Sequence, residues 1–111
     1  MGRKPRYLTV NITPTAEAQL DDIWDWNADR YDPDHADAYE DFLIDEANRI
    51  GEDPSIGRPV QNKPEYLYIV SRKRKRKSHG HIIVYEVANQ AVEILFIFHT
   101  AQNWEVRLAS L

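Results

Sequence analysis

Apolar and polar positions are patterned most strongly in the last third of the chain. Gly80 to Val87 and Val92 to Phe98 are two β-rich runs flanking Ala88-Asn89-Gln90-Ala91, which predicts an antiparallel hairpin turning at Asn89 and Gln90. That turn sets Ala88 opposite Ala91, Tyr85 opposite Ile94 and Ile83 opposite Phe96. One sheet face then carries Ile83, Tyr85, Val87, Val92, Ile94 and Phe96. The other carries Ile82, Val84, Leu95 and Ile97, with Glu86 and Glu93 near the turn. A strand apolar on both faces belongs in the middle of a sheet. The hairpin runs straight into a polar tail, His99 to Trp104, the place where an exposed site is expected.

Upstream, Tyr7 to Ile12 alternates and reads as a first strand with Leu8, Val10 and Ile12 inward. Thr13-Pro14 is a helix start, with threonine as N-cap and proline at the first helical position. Ala16, Leu20, Ile23, Trp24, Asn27 and Tyr31 form its apolar stripe. Asp32-Pro33-Asp34 breaks that helix and opens another, whose stripe is Ala36, Tyr39, Leu43, Ala47 and Ile50, ending at Gly51. So short a link makes the pair an antiparallel helical hairpin. Pro54, Gly57 and Pro59 mark a loop, and Tyr66 to Val70 reads as a strand. The predicted order is β-α-α-β-β-β: an α+β fold with an N-terminal strand, a helical hairpin and a three-stranded antiparallel sheet.

At 111 residues the chain is expected to form one domain, residues 1–111, long enough for a real core. It has no cysteine, which removes disulfides and thiolate metal sites and fits a reducing cytoplasm. Met1 to Arg6 has the charge of a signal n-region, but no apolar segment follows it. Nor does any apolar run approach the roughly 18 residues of a membrane span. The net charge of −4 conceals segregation. Residues 17–53 hold 14 Asp/Glu against Arg30 and Arg49, a net of −12. Residues 54–81 hold Arg58, Lys63 and the run Arg72 to Lys77 against Glu65, a net of +7. Only one loop region is basic, so the chain lacks the global charge of a nucleic-acid binder, and direct contact with nucleic acid stays open.

Candidate chemistry is sparse. His79 and His81 share a strand face by spacing, but the register above sets His81 opposite Phe98 and His99 opposite Gly80, so the three do not converge. No metal site and no cofactor are expected. The serines stand in no glycine-flanked elbow, and no glycine loop exists to cradle phosphate. The carboxylates of residues 17–53 read as two solvated helix faces. The run Arg72 to Lys77 is either a solvated turn or a contact for phosphates or an acidic partner. Trp24 fits the core stripe; Trp26 falls off it, toward a helix–helix contact or a partner surface.

Together these features resemble the ParE/RelE superfamily of bacterial toxin–antitoxin systems. The likeness is carried by the element order, by Ala16 to Trp24, by Asp53-Pro54-Ser55-Ile56-Gly57-Arg58-Pro59, by Ile83 to Val87, and by the tail beginning His99-Thr100-Ala101-Gln102-Asn103. It spans nearly the whole chain. RelE-like members cleave mRNA on the ribosome with basic and tyrosine side chains. Alignment on Val84-Tyr85 sets Ile82 where they tend to have a strand arginine, Gln102 at a tail arginine and Leu108 at a terminal tyrosine. An isoleucine cannot stabilise phosphorane charge and a leucine cannot transfer a proton. The tail is more similar to ParE-type members, whose family activity is poisoning DNA gyrase by binding. Two departures from that pattern are Leu67 at a common arginine position and an unusually long basic run.

The resemblance therefore implies a toxin that inhibits DNA gyrase without catalysis and is neutralised by a cognate antitoxin. Expected target contacts are His99, Gln102, Asn103, Trp104 and Arg58. Expected contacts to the antitoxin or another acidic partner are Arg72, Arg74, Arg76 and the second sheet face, Val84, Leu95 and Ile97. No catalytic residue is assigned. The alternatives are an mRNA endoribonuclease using His81, His99, Arg58 or the basic loop, and a degenerate, non-toxic binding module.

Overall fold

The computed structural model describes residues 7–73 and 80–111. Strand β1 (Thr9–Ile12) leads into helices α1 (Pro14–Arg30) and α2 (Pro33–Glu52). After a 3-10 turn at Pro54–Ile56 come β2 (Arg58–Val60), β3 (Lys63–Ser71), β4 (His81–Ala88), β5 (Ala91–His99) and a short helix α3 (Trp104–Ala109). The strands form one sheet in the order β1-β5-β4-β3-β2, with β1 parallel to β5 and the other pairs antiparallel. The helical hairpin and the antiparallel core are as expected. The sheet is larger: β1 joins it as an edge, and β2, three residues inside a Pro/Gly-rich stretch, adds the other edge.

Local chemistry sets the boundaries. The Thr13 hydroxyl accepts from the Ala16 N–H at 3.3 Å and donates to the Ile94 carbonyl at 2.8 Å, so one side chain caps α1 and fastens it to β5. Asp32 caps α2 through the His35 N–H at 2.7 Å, and proline opens both helices. Gly51 does not terminate α2 as expected; the helix continues to Glu52. A Cβ at Gly51 would meet Val10 Cγ2 at 2.6 Å, so the glycine lets β1 lie against the helix, where Leu8 N–H donates to its carbonyl. Asn89 and Gln90 take φ of 54° and 62°, the left-handed pair of a two-residue hairpin turn.

The register departs from expectation beyond one point. Ala88 faces Ala91 and Tyr85 faces Ile94, but Val84 then faces Phe96, leaving Leu95 as an extra residue on β5. A bulge of one residue inverts the alternation after it. Ile83 therefore faces Ile97 rather than Phe96, and His81 faces His99 rather than Phe98. Ile97 turns toward the helices, into the core of Leu20, Leu43, Ile50, Ile83, Tyr85 and Ile94. Phe96 and Phe98 turn to the opposite face.

That opposite face is not open. Leu108 of α3, 1% exposed, packs with Val60, Ile82, Val84 and Phe98, and Trp104 lies against the same cluster. After the polar turn comes a short helix whose apolar residues Trp104 and Leu108, four apart, cover the sheet. Of the expected first-helix stripe, Ala16, Leu20 and Asn27 are buried, whereas Tyr31 lies past the helix end and is 56% exposed. No helix among the described residues is long and apolar enough to cross a membrane.

Candidate functional site

The ends of β3, β4 and β5 meet beneath α2, and the side chains there are polar. Ser71, at the end of β3, donates its hydroxyl to Glu46 Oε1 at 2.8 Å, and Glu46 also holds Arg49 at 3.1 Å. His81, opposite Ser71, is 7% exposed, and its Nδ1 lies 2.6 Å from the Tyr39 hydroxyl. His99 stands edge-on to His81, ring centroids 5.2 Å apart. Burial first, then the neighbouring His99, lowers the His81 pKa to about 4, so its imidazole is neutral near pH 7. Burial pushes the Tyr39 hydroxyl up to about 12.

The two histidines thus converge, against the expectation from the unbulged register. The described residues contain no group of three or more His, Cys, Asp or Glu side chains placed to hold a metal ion. Sequence reasoning missed the Tyr39–His81 pair. Tyr39 sat in a stripe that looked purely apolar, and the face of His99 depended on a bulge inside an all-apolar run.

The tail after β5 is closed on itself. Thr100 N–H donates to the Gly80 carbonyl at 2.9 Å, and Gly80 N–H donates to the Thr100 hydroxyl at 3.2 Å. His99 N–H donates to Gln102 Oε1 at 2.8 Å, Gln102 N–H returns to the His99 carbonyl at 2.9 Å, and Ala101 N–H donates to His99 Nδ1 at 3.0 Å. His99 and Gln102 therefore shape the turn, while Asn103 stands exposed at the start of α3 without a side-chain cap.

Beyond it, Trp104 packs on Tyr68 at 4.8 Å and lies 6.5 Å from Phe98. Arg58 of β2 is directly opposite Tyr68 and so shares its sheet face. Lys63 lies over the Tyr66 ring at 5.6 Å. Arg58, Trp104 and the two tyrosines thus make one aromatic and cationic neighbourhood next to Asn103. His99 projects to the other face, so the five expected target contacts adjoin one sheet end but divide between its sides.

The expected partner surface is rearranged more. Val84 is fully buried under α3, Ile97 is 6% exposed in the helix-side core, and Leu95, the bulge residue, is half-buried. Arg72 is exposed, whereas Arg74 and Arg76 lie outside the described residues. The acidic helices are solvated as expected, with an open cleft of Asp21, Trp24, Asp25 and Glu40 between them. Trp24 is pinned at its rim by donating to Asp37 at 2.8 Å.

Known proteins place this arrangement. A profile described as "ParE toxin of type II toxin-antitoxin system, parDE" matches residues 10–104. The chain is 30% identical over 96 residues to Toxin ParE1 of Mycobacterium tuberculosis, covering 85% of this chain and 88% of that one. It is also 30% identical over 97 residues to Toxin ParE1 of Caulobacter vibrioides, covering 87% and 94%. A solved structure titled "Chromosomal ParDE TA system from P. aeruginosa" shares the fold, with a TM-score of 0.69 at 16% identity over 84% of this chain and 96% of that one. With the family profile spanning residues 10–104 and two relatives at 30% identity, the chain belongs to the ParE toxin family of type II toxin–antitoxin systems.

Proposed function

We propose that this toxin arrests growth by binding DNA gyrase, and that a cognate antitoxin neutralises it by binding the toxin. The observation that carries the reading is the cover over the sheet. Ile82 and Leu108, at positions where related nucleases keep an arginine and a tyrosine, are 3% and 1% exposed inside one apolar cluster. Neither side chain can take or give a proton to a phosphodiester laid on that face; the polar groups described there are Arg58 and the half-buried tyrosines Tyr66 and Tyr68, with Lys63 over the Tyr66 ring. His81 is on the other face, buried and held by Tyr39. Arg58, Asn103 and the edge of Trp104 on this side, with His99 and Gln102 in the turn that leads to them, suit recognition of a protein surface. The cationic Arg72 adds an electrostatic contact for an acidic antitoxin segment.

The test pairs two assays on purified toxin. Supercoiling by gyrase should be inhibited, and ribosome-bound mRNA should stay intact. Cleaved transcripts with unaffected supercoiling would replace this reading with the endoribonuclease. Inactivity in both, with no growth effect on expression, would leave a non-toxic module.

A further inference from the structure

We propose that the exposed tip of the helical hairpin, built on Trp26 and Tyr31, is a second contact for the target and docks on a cationic protein surface of the kind that binds DNA. This rests on the reading that gyrase, a DNA-binding enzyme, is the target.

At the tip four side chains order one another. The Trp26 and Tyr31 rings meet edge to face at 6.4 Å, Tyr31 lies on the His35 ring at 4.2 Å, and the Arg30 guanidinium sits over Trp26 at 5.4 Å. Trp26 is 55% and Tyr31 56% exposed. Tyr31 has a local duty, because it precedes the Asp32 cap and its contact with His35 fixes the entry of the chain into α2. Trp26 belongs neither to that cap nor to the buried residues of α1, Ala16, Leu20 and Asn27. One exposed ring calls for no explanation. Two large rings locked together, with an arginine over one of them, have the composition of an interface hot spot. Their mutual contacts also leave less side-chain freedom to lose on binding.

The tip stands at the end of the molecule that carries the proposed target contacts. α1 passes Ile94 at Thr13 and Ile97 at Gln19, so it advances along β5 toward His99. α2 returns over His81, opposite His99, at Tyr39. The shared end of the helices therefore projects past the sheet, by up to roughly 9 Å in the part of α2 before Tyr39. The tail turns into α3 at that same end, so one partner surface can meet both.

Charge selects the partner. Asp25, Asp29, Asp32 and Asp34 are exposed around the rings, and Arg30 is the one Lys or Arg between residues 17 and 48. Asp29 lies in the last turn of α1, where the helix dipole disfavours a carboxylate, so helix stability does not account for it. This rim repels phosphate and an acidic segment alike. A surface that binds DNA presents the complement, lysines and arginines spaced for phosphates, and guanidiniums stack on indole and phenol faces. Docked there, the tip takes a place that the DNA backbone would fill.

The test uses purified toxin and gyrase. Trp26→Ala should raise the toxin concentration for half-inhibition of supercoiling at least roughly tenfold, with a melting temperature within a few degrees of the unaltered toxin. Asp25→Asn with Asp29→Asn, both on exposed side chains, tests the same tip even if Trp26→Ala does not fold. That pair should weaken gyrase binding several-fold at low salt and flatten its salt dependence. Short duplex DNA should compete with the toxin for gyrase. If both sets of substitutions inhibit like the unaltered toxin, the tip is no contact, and the gyrase reading stands on the tail alone. Toxin binding that duplex DNA leaves unchanged or strengthens would overturn the DNA-binding surface as occupant. Failure of the unaltered toxin to inhibit gyrase would remove both readings. Loss of antitoxin affinity or of a toxin dimer in Trp26→Ala, with gyrase inhibition kept, would give the tip to that partner and overturn the proposal.

Discussion

The Tyr39 hydroxyl and His81 Nδ1 lie 2.6 Å apart, joining the second turn of α2 to the first residue of β4 across the polar end of the core. Burial and His99 hold the folded-state pKa of His81 near 4, against 6.5 for an ordinary histidine. Below pH 6.5 the unfolded chain takes up a proton that the folded chain refuses. Stability is therefore full above that pH and falls as pH drops from 6.5 toward 4, by as much as ~3 kcal/mol. Urea unfolding at a series of pH values should show this slope, and His81→Asn should flatten it. An unchanged slope in the variant would place the titration elsewhere.

Tyr85 is expected to be a second buried polar anchor. Its ring is fully buried, and its hydroxyl donates to the Pro54 carbonyl at 2.6 Å and accepts from Gly57 N–H at 2.9 Å. Tyr85→Phe keeps the packing and orphans two backbone groups, a loss of about 1–3 kcal/mol. Gly57→Ala should destabilise as well, because its Cβ would run into the same phenol. Thermal melts of the two variants check this, and a neutral Tyr85→Phe would show that water replaces the hydroxyl.

Leu108→Ala should uncover the second sheet face. The side chain is 1% exposed among Val60, Ile82, Val84 and Phe98, and α3 is only six residues long, too short to persist without that contact. The loss should lie near the low end of the Leu→Ala range, about 2–3 kcal/mol. Trp104 fluorescence should shift to the red, and a hydrophobic dye should bind. Unchanged fluorescence would mean that Trp104 alone holds the helix.

These variants also mark how far the sequence could be read. Caps and prolines at Thr13-Pro14 and Asp32-Pro33 are local signals, and both helices begin where they dictate. The turn at Asn89-Gln90 is equally local, and it fixed pairing as far as Tyr85 and Ile94. The bulge at Leu95 carried no such signal. Leu95-Phe96-Ile97-Phe98 is apolar in either phase, so the inversion that brings His99 to His81 depends on packing against both faces. β2 and α3 are three and six residues long and are held by tertiary contacts rather than by propensity. For the same reason the division of the expected target contacts between the two faces was not legible.

Ile82→Arg tests the proposal that the sheet face closed by Leu108 carries no nuclease chemistry. Ile82 is 3% exposed, faces Phe98 across the β4–β5 ladder and packs in the cluster that Leu108 closes. A guanidinium there has no partner and is almost wholly desolvated, a penalty upwards of roughly 3 kcal/mol if the structure stays rigid. Release of α3 is the lower-energy outcome, since it returns the charge to water for the loss of one short helix. The variant should therefore fold with a lowered melting temperature and become sensitive to proteolysis near Gln102-Asn103. It should not gain cleavage of ribosome-bound mRNA, because one cation supplies neither a base for the 2′-hydroxyl nor an acid for the leaving oxygen. Transcript cleavage by this single variant would show that the remaining groups, His99 or Arg58 among them, already form a nuclease site awaiting only charge, and the gyrase-binding reading would fall with it.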